Sequence, residues 1–94
     1  MKYRVRENVV LSRIAGVNLL IPLRSVYKDC AGVFKLDILS FMCWRAAEQG
    51  TDVEQVCSTF RKLFFMDEQE AMGKVKKRFE TMAELGYIIP VEEN

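Results

Sequence analysis

The side chains of this sequence best suited to nucleophilic or metal chemistry are its three cysteines, Cys30, Cys43 and Cys57. They show no C-x-x-C spacing, and the sequence has no histidine, so neither an activated thiol nor a usual set of zinc ligands is indicated. Cys43 and Cys57 fall on apolar faces of predicted helices, whereas Cys30 falls in a predicted loop. We therefore expect reduced thiols in a cytoplasmic protein, with no metal and no cofactor.

Acid–base catalysis would have to use Asp, Glu or Lys side chains. The acidic residues at informative positions, such as Asp37 and Asp67, are better explained as helix caps, and others as members of surface pairs. The sequence contains no glycine-rich phosphate loop and no nucleophile elbow. These observations predict that the chain is not an enzyme.

A single basic cluster stands out near the C-terminal end: Lys74, Lys76, Lys77 and Arg78. Lys74 and Arg78 are four residues apart and share one face of a predicted helix. They could bind an anion, either acidic residues of a peptide or a nucleic-acid phosphate. Alternatively, the cluster is a solvated surface on which Glu70–Lys74 and Lys76–Glu80 are ordinary pairs that contribute about 0.2–0.5 kcal/mol each.

The formal net charge is +1 over 94 residues, half of them hydrophobic. This length is typical of one domain, which we assign to residues 1–94, and the charge supplies no overall field for nucleic acid or a membrane surface. No segment approaches the roughly 20 apolar residues of a membrane span, and no secretory signal is recognisable. The sequence thus predicts a cytoplasmic protein with no nucleic-acid or membrane partner.

The N-terminal third alternates in hydrophobicity with a period of two, which is typical of strands. It predicts a short arm and then a hairpin over residues 9–21, with Gly16 in the turn and Pro22 closing the second strand. Residues 23–32 are interpreted as a connection. A third strand, Val33 to Leu36, then runs through the capping residue Asp37 into an apolar helix over residues 38–49, which we expect to lie inside the domain.

Two further helices are predicted. Thr51 and Glu54 form a capping box before an amphipathic helix whose apolar stripe continues to Leu63 and Phe64. Asp67 caps a longer helix over residues 68–85, which Gly86 ends. The apolar tail after Gly86 is expected to lie back on the domain as a short strand or extended segment. The predicted fold class is α+β and winged-helix-like, with a small three-stranded antiparallel N-terminal sheet packed on three C-terminal helices.

The sequence also resembles a known family over roughly Val9 to Ile89. The resemblance is carried by the run Val33 to Asp37, the apolar helix with Trp44, the segment from Gly50 to Val56, and the segment from Phe79 to Ile88. In their order and spacing these segments are similar to the PqqD-like family, the precursor-peptide recognition elements of pathways that make ribosomally synthesised and post-translationally modified peptides.

The resemblance implies a non-catalytic domain that binds the leader segment of a precursor peptide and presents it to a modifying enzyme, commonly a radical SAM protein. In that family the leader adds as an extra strand beside the third strand and lies against the third helix. By position, this implies a peptide-binding site formed by Val33, Phe34, Lys35, Lys74, Val75, Arg78, Phe79 and Met82. The family usually joins its second and third strands by a tight turn, whereas residues 23–32 are longer here.

An edge strand can bind a peptide without reference to any family, because its unpaired main-chain groups pair with a second backbone while alternate side chains enter pockets. Two other functions stay open at this point. A winged-helix protein could place its basic third helix in the major groove of DNA, although Glu80 and Glu84 lie on the same helix. The chain could also be a structural adaptor or a dimerisation module.

Overall fold

The computed structural model describes residues 1–7, 9–23 and 33–92. The predicted connection over residues 23–32 lies outside these ranges except for Leu23, and Cys30 lies outside them too. The elements, in chain order, are β1 (Lys2–Val5), β2 (Val9–Ile14), β3 (Val17–Pro22), β4 (Phe34–Leu36), α1 (Ile38–Gln49), α2 (Val53–Phe64), α3 (Glu68–Glu84) and β5 (Ile88–Val91).

Strands β2, β3 and β4 form one antiparallel sheet in that order. The turn between β2 and β3 has positive φ at Ala15 (50°) and Gly16 (79°), the backbone that a two-residue hairpin turn of this hand requires. The predicted role of Gly16 is confirmed, and β3 ends at Pro22 as expected. In β4, Phe34 lies opposite Leu20 and Leu36 lies opposite Asn18, which fixes the register.

The N-terminal arm and the C-terminal tail form a second, two-stranded sheet. β1 pairs antiparallel with β5, with Tyr3 opposite Pro90 and Val5 opposite Ile88. The tail is therefore a strand, one of the two forms predicted for it. Tyr3 also stacks on Phe79 of α3, with ring centroids 4.8 Å apart, so this sheet packs on the helices.

Two of the three helices start at a local capping signal. Asp37 and Asp67 cap α1 and α3 through their side chains, as predicted. The predicted capping box at Thr51 and Glu54 is wrong: α2 is preceded by Asp52, whose side chain makes no capping hydrogen bond. Instead, the Val53 amide donates to the Met1 carbonyl at 2.8 Å, so a tertiary contact replaces the local cap.

The core is centred on α1 and α3, where Trp44, Phe79 and Met82 are almost completely buried. However, α1 is not enclosed on all sides as its composition predicted, because Ile38 is 68% exposed and Phe41 is only half-buried. The stripe on α2 also leaves the core at its C-terminal end, since Phe60 is buried but Phe64 is 46% exposed. The α+β, winged-helix-like class is confirmed, and one apolar side of the helical layer faces solvent.

Candidate functional site

The site is built around the junction between β4 and α1, because Asp37 uses its two carboxylate oxygens for two different elements. Oδ1 accepts from the Ser40 amide at 2.8 Å, which satisfies an otherwise unpaired donor in the first turn of α1. Oδ2 accepts from Nε and Nη2 of Arg78 at 3.2 and 3.0 Å. One carboxylate therefore starts α1 and fixes α3 against the end of β4.

The same contacts set the protonation state of this carboxyl. Partial burial alone raises the pKa of Asp37, but hydrogen bonds from Ser40 and from the Arg78 guanidinium outweigh it, so the pKa lies below its ordinary value. The group is ionised at neutral pH. The ion pair is therefore intact under physiological conditions, although both side chains are partly exposed.

A second contact joins β4 to the far end of α3. The Phe34 ring packs against Tyr87, which follows α3, with centroids 5.5 Å apart and an interplanar angle of 34°. Phe34 begins β4 and Arg78 precedes Tyr87, so α3 runs antiparallel alongside β4. The segment from Phe34 to Asp37 and the segment from Arg78 to the end of α3 have similar lengths, about 10 Å each. The two contacts therefore link α3 to both ends of β4.

Strand β4 is also an outer strand. Within the described residues it pairs with β3 on one side, and no strand pairs with its other side. In an antiparallel strand, alternate residues direct their amide and carbonyl groups to opposite edges, so the outer edge of β4 presents main-chain groups that no strand of residues 1–7, 9–23 and 33–92 pairs with. An unpaired edge beside a helix is an arrangement that can accept an extended peptide.

The predicted strand residues lie at this edge. Val33, directly before β4, is 62% exposed. Phe34 is half-buried against Tyr87, and Lys35 is exposed on the sheet face opposite Phe34 and Leu36. All three are thus reachable from solvent, with Lys35 supplying a positive charge.

The predicted helix residues separate into two groups. Lys74 is exposed, and the side chain of Arg78 is 33% exposed, one turn further along the same face of α3. Val75, Phe79 and Met82 are 0–1% exposed, so they belong to the core of the protein. A peptide lying against α3 meets the first group, and the second group supports the helix from below.

The basic cluster is only partly a solvated surface. No ion pair joins Glu70 to Lys74, or Lys76 to Glu80, among the pairs formed by described residues. Arg78 is neutralised by Asp37, while Lys74 makes no ion pair with another described residue. The pKa of Glu54 on α2 is lowered by a hydrogen bond from its own backbone amide and by another from the chain's amino group. The charge of Lys76 adds a smaller lowering effect. Lys74 is therefore an exposed cation on the same face of α3 as Arg78 that remains available to a ligand.

Sequence reasoning missed the link between Asp37 and Arg78 and the contact between Phe34 and Tyr87. Asp37 is recognisable as a cap, but a cap uses only one carboxylate oxygen, and nothing local indicates that the other accepts from a residue 41 positions away. Tyr87 is completely buried. The sequence does not show that its ring contacts Phe34, because this contact depends on the tertiary structure.

The thiols in the described part of the chain are not poised for chemistry. Burial raises the pKa of Cys43 to about 12, against a smaller opposing effect of Arg78. Burial also raises the pKa of Cys57, and the nearby Glu68 carboxylate adds to this. Both groups are protonated at neutral pH, and a protonated thiol is a poor nucleophile. Across the same described residues, no three His, Cys, Asp or Glu side chains come together as a metal site would require.

A membrane-spanning role finds no support in the helices that the structure describes. Within residues 1–7, 9–23 and 33–92, none of them combines the length and the hydropathy that crossing a bilayer requires.

The fold and the site define a winged-helix-like α+β protein with an open sheet edge beside a helix. No protein-family model matches the sequence, and no curated protein matches it either. The fold does match a solved structure, that of TbiB1 in complex with the TbiA(beta) leader peptide, with a TM-score of 0.76 and 16% sequence identity. The match covers 96% of this chain and 99% of the other, so essentially the whole fold is shared.

Proposed function

We propose that this chain is a non-catalytic peptide-binding protein that captures the leader segment of a ribosomally made precursor peptide. The leader adds as a strand to the outer edge of β4 and lies against α3. The chain then presents the bound precursor to a modifying enzyme, for which the PqqD-like resemblance suggests a radical SAM protein. In this proposal residues 1–94 act as one recognition domain.

The observation that carries the proposal is an edge of β4 that no strand in the described part of the chain pairs with, together with the contacts that link α3 to this strand. The Asp37–Arg78 ion pair and the Phe34–Tyr87 contact hold the strand and the helix together at both ends. A preorganised edge loses less conformational entropy when a peptide binds than an edge that must first be ordered. The shared fold with TbiB1, a protein solved with a leader peptide on it, supports the same function.

Main-chain pairing alone would accept any extended peptide, so side chains must supply the selectivity. Lys35 on the strand and Lys74 on the helix are both exposed cations. We propose that they favour a leader with acidic side chains at matching positions, each contact contributing about 0.2–1 kcal/mol because it is solvent-exposed. Val33 and Phe34 offer the apolar contacts of the edge.

The roles of the remaining site residues follow from their burial. Val75, Phe79 and Met82 hold α3 at its distance from β4, and Arg78 contributes mainly by fixing the helix to Asp37. Reversing the charge of Arg78 would break this ion pair as well as any peptide contact. A clean electrostatic test therefore leaves Arg78 unchanged.

The test begins with a probe peptide, obtained by selecting a display library of short random peptides for binding to the immobilised chain. Its affinity is then measured by calorimetry for the wild type and for Lys35→Glu with Lys74→Glu. We expect the double reversal to weaken binding about tenfold, or ~1.4 kcal/mol.

Two matched variants control for the charge change itself. Arg13→Glu reverses an exposed cation on β2, the other outer strand, and Lys76→Glu reverses one on the opposite side of α3. Both should leave the affinity within about twofold. Equal losses in all variants, or a library that yields no binding peptide, would argue against the proposed site.

A further inference from the structure

A second surface of the molecule is apolar, and the proposed function does not use it. Ile38, Leu63, Phe64 and Phe65, which we call the apolar face, are 68, 60, 46 and 96% exposed. Monomeric proteins seldom expose several large apolar side chains together, and such patches commonly mark interfaces.

A cavity adjoins the apolar face. It is open, has a volume of about 550 Å³, and is lined largely by carbon atoms. Ile38, Phe41, Phe60 and Phe64 form its helical walls, and the hairpin turn at residues 16–18 closes one end. The chain thus carries a protruding apolar segment and, next to it, a cavity able to receive a side chain of that kind.

Phe65 sits in a backbone conformation that does not favour it. Its φ and ψ are 52° and 45°, which lie in the left-handed region. Where a helix ends with a residue in this conformation, that residue is usually glycine and sometimes asparagine. The amide of Phe65 donates to the Arg61 carbonyl and so closes α2. A bulky residue in this region is uncommon, and residues held in such backbone conformations occur most often at functional sites.

The apolar face is complementary to itself in shape. The ring of Phe65 protrudes and is 96% exposed, and the open cavity beside the face belongs to the same chain. In a two-fold pair, each copy can therefore place its ring in the cavity of the other.

The size of the apolar face fits a weak dimer. Its four side chains expose roughly 500 Å², so two copies would bury roughly 1,000 Å² when these side chains are fully covered, which is the lower limit for a specific interface. The cavity is lined by Val17 and Asn18 of β3 and also by Lys35, Leu36 and Asp37, so Lys35 adjoins both surfaces. The outer main-chain edge of β4 faces away from β3, and a dimer formed at the cavity leaves that edge accessible in both copies.

We propose that two copies of this chain associate reversibly through their apolar faces, with Phe65 of each copy entering the cavity of the other. The arrangement is a two-fold dimer in which the same surface of each copy contacts the other. The expected dissociation constant is on the order of 10–100 µM. The proposal does not depend on peptide binding.

Sedimentation equilibrium over a range of concentrations tests this directly. The mass of the wild type should rise from 10.9 kDa toward twice that value. Phe65→Asn should remain monomeric, with association weakened at least about tenfold, because asparagine suits the left-handed backbone but removes the ring. Val33→Asn, an equally polar change at a 62% exposed position near β4, should associate like the wild type.

A change in the cavity wall tests the reciprocal insertion. Ile38→Asn, at a 68% exposed position beside the cavity, should weaken association as Phe65→Asn does. A wild type that stays monomeric at every concentration would overturn the proposal and assign the apolar face to a different protein. A dimer that Phe65→Asn leaves intact, or that the probe peptide dissociates, would overturn it as well, because the copies would then join through β4.

Discussion

The two exposed surfaces on either side of β4 differ in what they can bind. The outer edge of β4 offers unpaired main-chain groups, the cations Lys35 and Lys74, and a helix fixed alongside. The apolar face around Phe65 offers side chains and a cavity. The first surface suits an extended backbone and the second suits a folded surface, so the two proposals concern different surfaces that meet at Lys35.

The largest expected effect comes from the core that both surfaces share. Phe79 is 1% exposed and stacks on Tyr3, so Phe79→Ala should lower the free energy of unfolding by about 3–5 kcal/mol. Urea denaturation measures this loss. Peptide binding and self-association should disappear together as the variant unfolds. A Phe79→Ala protein of normal stability that has lost only peptide binding would place this ring in the site instead of the core.

Asp37 lies at the boundary between the two surfaces, since Ile38 directly after it belongs to the apolar face. Asp37→Ala removes both the cap of α1 and the ion pair with Arg78, and should cost about 1–2 kcal/mol of stability. Asp37→Asn keeps a capping oxygen and should cost less than about 1 kcal/mol. Chemical denaturation of both variants separates the two roles, and equal losses would show that capping contributes nothing.

Substitution of Phe65 should have the opposite effect on stability, an increase. Phe65→Gly relieves the left-handed backbone and should raise the free energy of unfolding of the monomer by about 1 kcal/mol, while it abolishes association. Thermal unfolding at a low protein concentration measures the gain. A loss of stability in this variant would mean that the ring packs within its own chain, which would contradict its role in a dimer.

The stability contributed by Asp37 should depend on pH. Its pKa is lower in the folded chain than the usual value of 3.8, so the unfolded chain binds the proton more readily. The contribution is therefore fully present above about pH 4 and lost as pH falls through the folded pKa. The stability difference between the wild type and Asp37→Asn, at most about 1 kcal/mol, should vanish in acid. A stability difference that grows on acidification would mean that folding raises the pKa of Asp37 and does not lower it.

The smallest effect expected is that of salt on peptide affinity. Strand addition with two exposed charge contacts should lose only a few-fold in affinity between low and physiological ionic strength. Binding to DNA through several phosphates would lose orders of magnitude over a similar range. Calorimetry with the probe peptide and with duplex DNA separates the two functions, and tight, strongly salt-dependent DNA binding would favour the winged-helix DNA-binding alternative.

Much of the fold could be predicted where the signals are local. The bounds of α1, from Ile38 to Gln49, follow from the Asp37 cap and from Gly50, whose φ of 71° ends the helix. The start of α3 follows from Asp67 in the same way. By contrast, the pairing of β1 with β5 joins the two ends of the described chain, and no local pattern specifies it.

The surfaces were harder to predict than the elements. The stripe on α2 continues to Leu63 and Phe64 without a break, but the core it packs against ends after Phe60. Periodicity shows which side of a helix is apolar and does not show where its neighbours stop.

Backbone amide hydrogen exchange, with and without the probe peptide, tests the central claim most directly. If the peptide adds as a strand, the amides of residues 33–37, including those at the outer edge of β4, should exchange more slowly in the complex. The exchange rates of the amides of β2 and of residues 63–65 should not change. Protection of β2, or of the apolar face, with β4 unaffected would contradict peptide capture at the β4 edge.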